Sequence, residues 1–278
     1  MVDHDTLHAF RGDGRTLSMA LAQLTGDERA GVAATLGFMR VIDAIEDAEG
    51  VSGSLDDRER RLRHAAAWLA EASAYDPGSF PRPCPDAPIE RWLALAPSRH
   101  YRSMCTGAAT VALTLAEAVR RRWRFDTWED LMTYVDQASG TLAAMLHLAW
   151  TPGATGLTLT DDLRAWTRAA HLSDMLIDRD EDLSADVDLV PAGMDAATFH
   201  ERAIDSVRAA IDLGFDDIPE GGRRFLHMIS AVQLDRVERI AEQHDRHKLT
   251  DAELEQVVTA ALGAERARAS IDALHRRF

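Results

Sequence analysis

What most constrains this chain is where its helix breakers fall. Turn-type pairs and stretches rich in glycine or proline recur at 13–14, 25–27, 50–54, 76–88, 97, 125–126, 152–160, 186–194, 214–222 and 247–251. The intervals between them suit helices of about three to six turns. Inside those intervals Ala, Leu and Arg dominate, and Val/Ile/Thr runs alternating with period two are scarce. Helix is therefore favoured over strand throughout. Residues 76–88 hold five prolines (Pro77, Pro81, Pro83, Pro85, Pro88) and form the plainest irregular stretch. Helix starts are legible as well: Thr127 with Asp130, Thr160 with Asp161, Asp162 and Leu163, and Thr250 with Glu253. No internal repeat or low-complexity tail interrupts the pattern. It predicts an all-α fold, one helical bundle over residues 1–278.

Charge narrows the partners. Against 31 Lys+Arg stand 46 Asp+Glu, a net charge of −15, which disfavours nucleic-acid backbones and anionic membrane surfaces. An anionic small molecule remains possible if divalent cations bridge it to carboxylates. Cys84 and Cys105 fit neither a disulfide framework nor a metal-ligand spacing. Residues 1–15 are polar and do not resemble a secretory signal. The longest stretch free of Asp, Glu, Lys and Arg, 138–160, contains Pro152 and three glycines. It predicts a helix ending near Trp150 and then a loop, with no transmembrane span. A cytoplasmic protein, monomer or homodimer, is expected. Gly-rich phosphate loops after a strand, G-x-S-x-G elbows and H-E-x-x-H pairs are all absent.

Two acidic clusters sit inside otherwise apolar helical stretches. In the first, Asp43-Ala44-Ile45-Glu46-Asp47, the spacing puts Asp43 and Asp47 on one helix face, one turn apart. In the second, Asp174, Asp178 and Asp182 make an i, i+4, i+8 ladder. Like charges at i, i+4 each cost about a few tenths of a kcal/mol in an isolated helix. Either cluster alone reads equally as a solvated acidic face. The pair points to a hard divalent cation such as Mg²⁺, which takes one or two carboxylates and shares itself with substrate phosphate.

Order and flanks add a resemblance. Residues 24–50 (LTGDERAGVAATLGFMRVIDAIEDAEG) resemble the first aspartate-rich region of the squalene/phytoene synthase family, with Arg40 ahead of the Asp43/Asp47 pair. Residues 170–182 (AHLSDMLIDRDED) are similar to its second region, Q-L-T-N-I-L-R-D-V-x-E-D. Residues 134–145 (YVDQASGTLAAM) match its intermediate Tyr…Ala-Gly-x-Val-Gly-x-Met helix, and Leu189-Val190-Pro191 stands at its Tyr-Leu-Pro. The resemblance implies an isoprenoid-synthase helical bundle around a central cavity. Two aspartate-rich helices would face each other there and bind an allylic prenyl diphosphate through Mg²⁺. By position it assigns Asp43, Asp47, Asp174 and Asp178 as catalytic metal ligands, with Asp182 a further ligand, and Arg40 as a diphosphate contact or a structural ion pair.

The departures from that pattern shape the expected chemistry. Leu36 stands where the family has a Tyr, His171 and Asp174 replace Gln and Asn, and Ile177 replaces an Arg. Asp for Asn keeps a hard oxygen ligand. Loss of the Arg and Tyr groups removes contacts expected for a second diphosphate. The expected activity is a Mg²⁺-dependent prenyltransferase passing an allylic group to a small non-prenyl acceptor, an electron-rich aromatic. The alternatives are head-to-head coupling of two prenyl diphosphates, cyclisation of one, and a non-catalytic binding subunit. His171 is a candidate base or acceptor contact. Leu36 and Met145 are candidate substrate contacts, and Met39, His147 and Trp150 are further candidates for the pocket wall.

Overall fold

The computed structural model describes residues 15–46, 54–85, 89–90, 93–94, 98–151, 153–184, 187–241 and 249–275, the side chains of Asp43 and Glu181 excepted. Among them are eleven α-helices and no strand. In order these are α1 (Arg15–Leu21), α2 (Gly26–Glu46), α3 (Leu55–Ala72), α4 (Tyr101–Arg120), α5 (Trp128–Val135), α6 (Thr141–Trp150), α7 (Asp161–Ser184), α8 (Ala196–Ile211), α9 (Glu220–Ala241), α10 (Asp251–Leu262) and α11 (Ala264–His275). A short 3₁₀ turn, Ser98–His100, precedes α4. The all-α expectation is met, and none of these helices is long and apolar enough to cross a membrane.

Local chemistry sets the helix ends. Thr127 accepts from the Asp130 N–H (3.1 Å) and Thr160 from that of Leu163 (3.3 Å). Thr250 and Glu253 form a reciprocal capping box. α6 stops at Trp150, as the sequence predicts. The end of α4 is less ordinary. Arg122 N–H returns to Val119 O (3.0 Å) and Trp123 N–H to Ala118 O (2.8 Å), the two bonds of a Schellman stop. Arg122 and Trp123 both take left-handed φ, 54° and 50°, where a non-glycine residue costs about 1–2 kcal/mol.

α5 and α6 are joined without a turn by a π-helical segment, Asp136–Gly140. Such segments concentrate at functional sites. Asp136 fastens this one to α7, accepting from Arg164 Nη1 (2.7 Å) and from Arg168 Nε and Nη2 (2.8 and 2.7 Å).

Two apolar clusters hold the helices together. The larger draws on α1, α2, α3, α4, α6 and α9–α11, with Phe38, Leu69 and Trp150 fully buried. The smaller joins α5, α7 and α8 around Leu131, Leu172 and Phe199. Tyr134 packs against both. α3 and α4 run antiparallel: Arg63 pairs with Glu117 (3.7 Å), and Arg102 at the start of α4 reaches Asp76 just beyond α3 (3.1 Å).

Candidate active site

A cavity of about 550 Å³ opens where α2, α3 and α4 face α5, the π segment, α6 and α7. Its charge is one-sided. α7 contributes Asp174, Asp178 and Asp182, and the last residue of α2 contributes Glu46; among the described lining residues Arg58 is the one guanidinium. Apolar walls come from Met39, Leu115, Leu142, Met175, Val187 and Leu189. At 1.5 Å rise per residue, the three aspartates span about 12 Å of one helix face.

The electrostatics follow from enclosure. Asp174 is wetted by the cavity yet ringed by protein. Poor solvation, with help from the neighbouring Asp178 charge and against the pull of Arg236, pushes its carboxyl up to about 7. His171, on the same wall, is pushed down to about 4 by desolvation and is neutral at pH 7. Its Nδ1 lies 2.6 Å from Ser139 Oγ in the π segment, and its ring meets Tyr134 edge-on at 5.5 Å. At the other end the Trp123 indole N–H donates to Glu46 Oε1 (2.7 Å). The left-handed stop of α4 therefore carries an aromatic ring to the cavity and ties it to the end of α2.

Four carboxylates and one guanidinium around one cavity are a donor set of hard oxygens with an excess of negative charge, which suits a hard divalent cation. Among the described residues no group of three or more carboxylate, histidine or cysteine side chains closes into a cation cage. Asp47 lies outside the described residues, as does the side chain of Asp43.

The chain matches the squalene/phytoene synthase family over residues 10–176, more than half its length. It belongs to that family. No curated protein matches it closely enough to lend a narrower activity. The squalene/phytoene synthase family is one of prenyltransferases in isoprenoid biosynthesis. The match takes in both stretches that carry Asp43, Asp47, His171 and Asp174 and stops at Leu176. Asp178 and Asp182 follow on the same unbroken helix.

Of the residues expected at the site, the structure brings His171, Asp174, Asp178 and Asp182 to the cavity, together with Met39. It places others elsewhere. Arg40 is exposed and does not line the cavity, because one residue on from Met39 its side chain points about 100° away around the helix. Leu36 and Met145 are core residues, 8% and 1% exposed. Met145 is held against α4, where a Cβ on Gly107 would come 2.6 Å from its sulfur. Trp150 and His147 are likewise buried away from the cavity.

Glu46, Arg58, Trp123 and Ser139 are among the lining residues that the sequence did not mark as candidates for the site. Glu46 carried a signal, since it lies seven residues after Met39, close to two helical turns. Ser139 lay inside the matched 134–145 motif. Arg58 and Trp123 carried none, because their positions depend on the α3–α4 pairing and on a left-handed helix stop.

Proposed function

We propose that this member of the squalene/phytoene synthase family is a Mg²⁺-dependent prenyltransferase that ionises an allylic diphosphate and transfers the prenyl group to a non-prenyl, aromatic acceptor. The observation that carries the reading is the division of one cavity into a carboxylate wall and apolar walls. Asp174, Asp178 and Asp182 would hold the cation, with Asp43 and Asp47 proposed as further ligands. Bound there, Mg²⁺ supplies Lewis-acid stabilisation of the departing diphosphate.

The chain's own residues do the rest. Met39, Leu115, Leu142 and Met175 take the hydrocarbon and keep water from the cationic carbon. Trp123 and Tyr134 add electron-rich rings to the same wall. Asp174, its carboxyl raised by poor solvation, would give up any proton it holds when a cation binds.

Charge favours a single diphosphate. A second would enter a cavity that already holds four carboxylates and has one guanidinium to receive it. A neutral ring meets no such opposition, and the volume lies within the range of about 300–1,000 Å³ typical of small-molecule sites.

The test is incubation with Mg²⁺ and allylic diphosphates of increasing length, with and without aromatic acceptors, following diphosphate release and product mass. Release that depends on the acceptor is expected, and Asp178→Asn should reduce it about 100-fold. A head-to-head hydrocarbon formed from one diphosphate alone would overturn the proposal. So would a cyclised product made without acceptor, and so would no release with any donor, the result expected of a non-catalytic binding subunit.

A further inference from the structure

Ser139 and His171 come from different elements, the π segment and α7, and meet at 2.6 Å inside the cavity. Several other mid-helix hydroxyls in the fold spend their proton on the carbonyl one turn back. Thr106 donates to Arg102 O, Thr110 to Thr106 O and Thr133 to Glu129 O. Ser139, in its π-helical turn, makes no such bond among the described residues; its hydroxyl partner is the imidazole Nδ1. A hydroxyl donating to Nδ1 requires that nitrogen to be the acceptor, which leaves the ring's own proton on Nε2.

His171 itself lines the cavity. Nε2 of His171 has no protein partner among the described residues, and it is not one of the sealed polar atoms, which include Nδ1 of His100 and His147. Met39, Leu142 and Met175 line the cavity with it. A ligand that displaces water from an N–H donor in such surroundings without replacing the hydrogen bond binds more weakly for it. A prenyl chain has no oxygen to offer away from its diphosphate. An oxygenated ring does.

We propose that His171, locked by Ser139 as the Nε2–H tautomer, is a hydrogen-bond donor that selects a second substrate bearing a hydroxyl or carbonyl oxygen on its aromatic ring. Ser139 is the positioning residue and His171 the contact. The assignment rests on the prenyl-transfer reading for what the second substrate is, but the tautomer stands independently of it. It also makes His171 a donor to the acceptor molecule in place of a base.

Two measurements test this. The first is ¹⁵N NMR of histidine-labelled protein without ligand, with the His171 signals identified by their loss in His171→Gln. The Nε2–H pattern is expected in the native chain, moving toward a mixture of tautomers in Ser139→Ala. An Nδ1–H pattern in the native chain overturns the proposal. The second is binding of the isosteric pair 1-naphthol and 1-methylnaphthalene in the presence of Mg²⁺ and geranyl thiolodiphosphate. The native chain should prefer the naphthol about tenfold, and Ser139→Ala by threefold or less. Equal affinity in the native chain overturns the proposal. If the thiolodiphosphate itself fails to bind with Mg²⁺, the prenyl-transfer reading fails and takes the substrate assignment with it, whereas the NMR result still decides the dyad.

Discussion

Replacing Asp136 by Asn should loosen the join between the π segment and α7. Its carboxylate, about one-fifth exposed, accepts three hydrogen bonds from Arg164 and Arg168, whose side chains are 39% and 38% exposed. A fully buried charge-assisted bond contributes about 1.5–3 kcal/mol. With guanidiniums this wet, solvent screening reduces each to about 0.5–1 kcal/mol. Asn keeps one acceptor oxygen and loses at most the two bonds made to Oδ2, so the net loss is about 1–2 kcal/mol, or a Tm lowered by about 2–6 °C for a chain of this size. The effect has a pH signature. Desolvation raises the Asp136 pKa, but the bonds from Arg168 and Arg164 outweigh it and hold the carboxyl below the ordinary aspartate value of 3.8. A group depressed on folding stabilises above its unfolded pKa and loses that contribution as pH falls through the folded value. Urea unfolding followed by circular dichroism should therefore show a gap between native and Asp136→Asn at pH 7 that narrows below about pH 4. A gap under about 0.5 kcal/mol at pH 7, or one unchanged at pH 2.5, would refute the reasoning.

Three further outcomes are expected. Gly222→Ala puts a Cβ 2.6 Å from Ile218 and 3.0 Å from the fully buried Trp150 ring; overpacking of about 1–3 kcal/mol should appear as a lower Tm in calorimetry. Trp123→Phe keeps an aromatic ring but removes the donor to Glu46; titration calorimetry should show a severalfold weaker affinity for Mg²⁺-diphosphate, with unchanged circular dichroism. Glu253 is held down to about 2 by the Thr250 backbone and hydroxyl and by Arg239. Glu253→Gln should lower the urea midpoint at pH 7, and the difference should vanish as pH falls from about 4.5 toward 2.

The fold was readable because its signals are local. Helix starts at Thr127, Thr160 and Thr250 and the stop at Trp150 are fixed by chemistry within one turn of each residue. So is the aspartate ladder of α7, since helical periodicity alone carries Asp174, Asp178 and Asp182 to one wall. What resisted was rotation and partnership. Arg40 flanks the first cluster in sequence but sits about 100° around α2 from Met39, outside the cavity. Met145 belongs to a matched motif and fills the space that Gly107 leaves. Arg58 reaches the cavity only because α3 packs on α2 and α4, and Trp123 only because a left-handed stop turns it there. No local pattern encodes either.

The π segment sets the phase of the rod in which it lies. An α-helix turns about 100° per residue, and a π turn accommodates one residue more than an α turn. Everything from Thr141 onward is therefore rotated relative to α5 by an angle that an uninterrupted helix would not give. Gln137 is the exposed member of the segment. Deleting it would remove no lining residue and would let the π turn close to an α turn, so Leu142 and the rest of α6 would stay in phase with α5. The wide turn is what lets a chain one residue longer present the same interior to the same ligand.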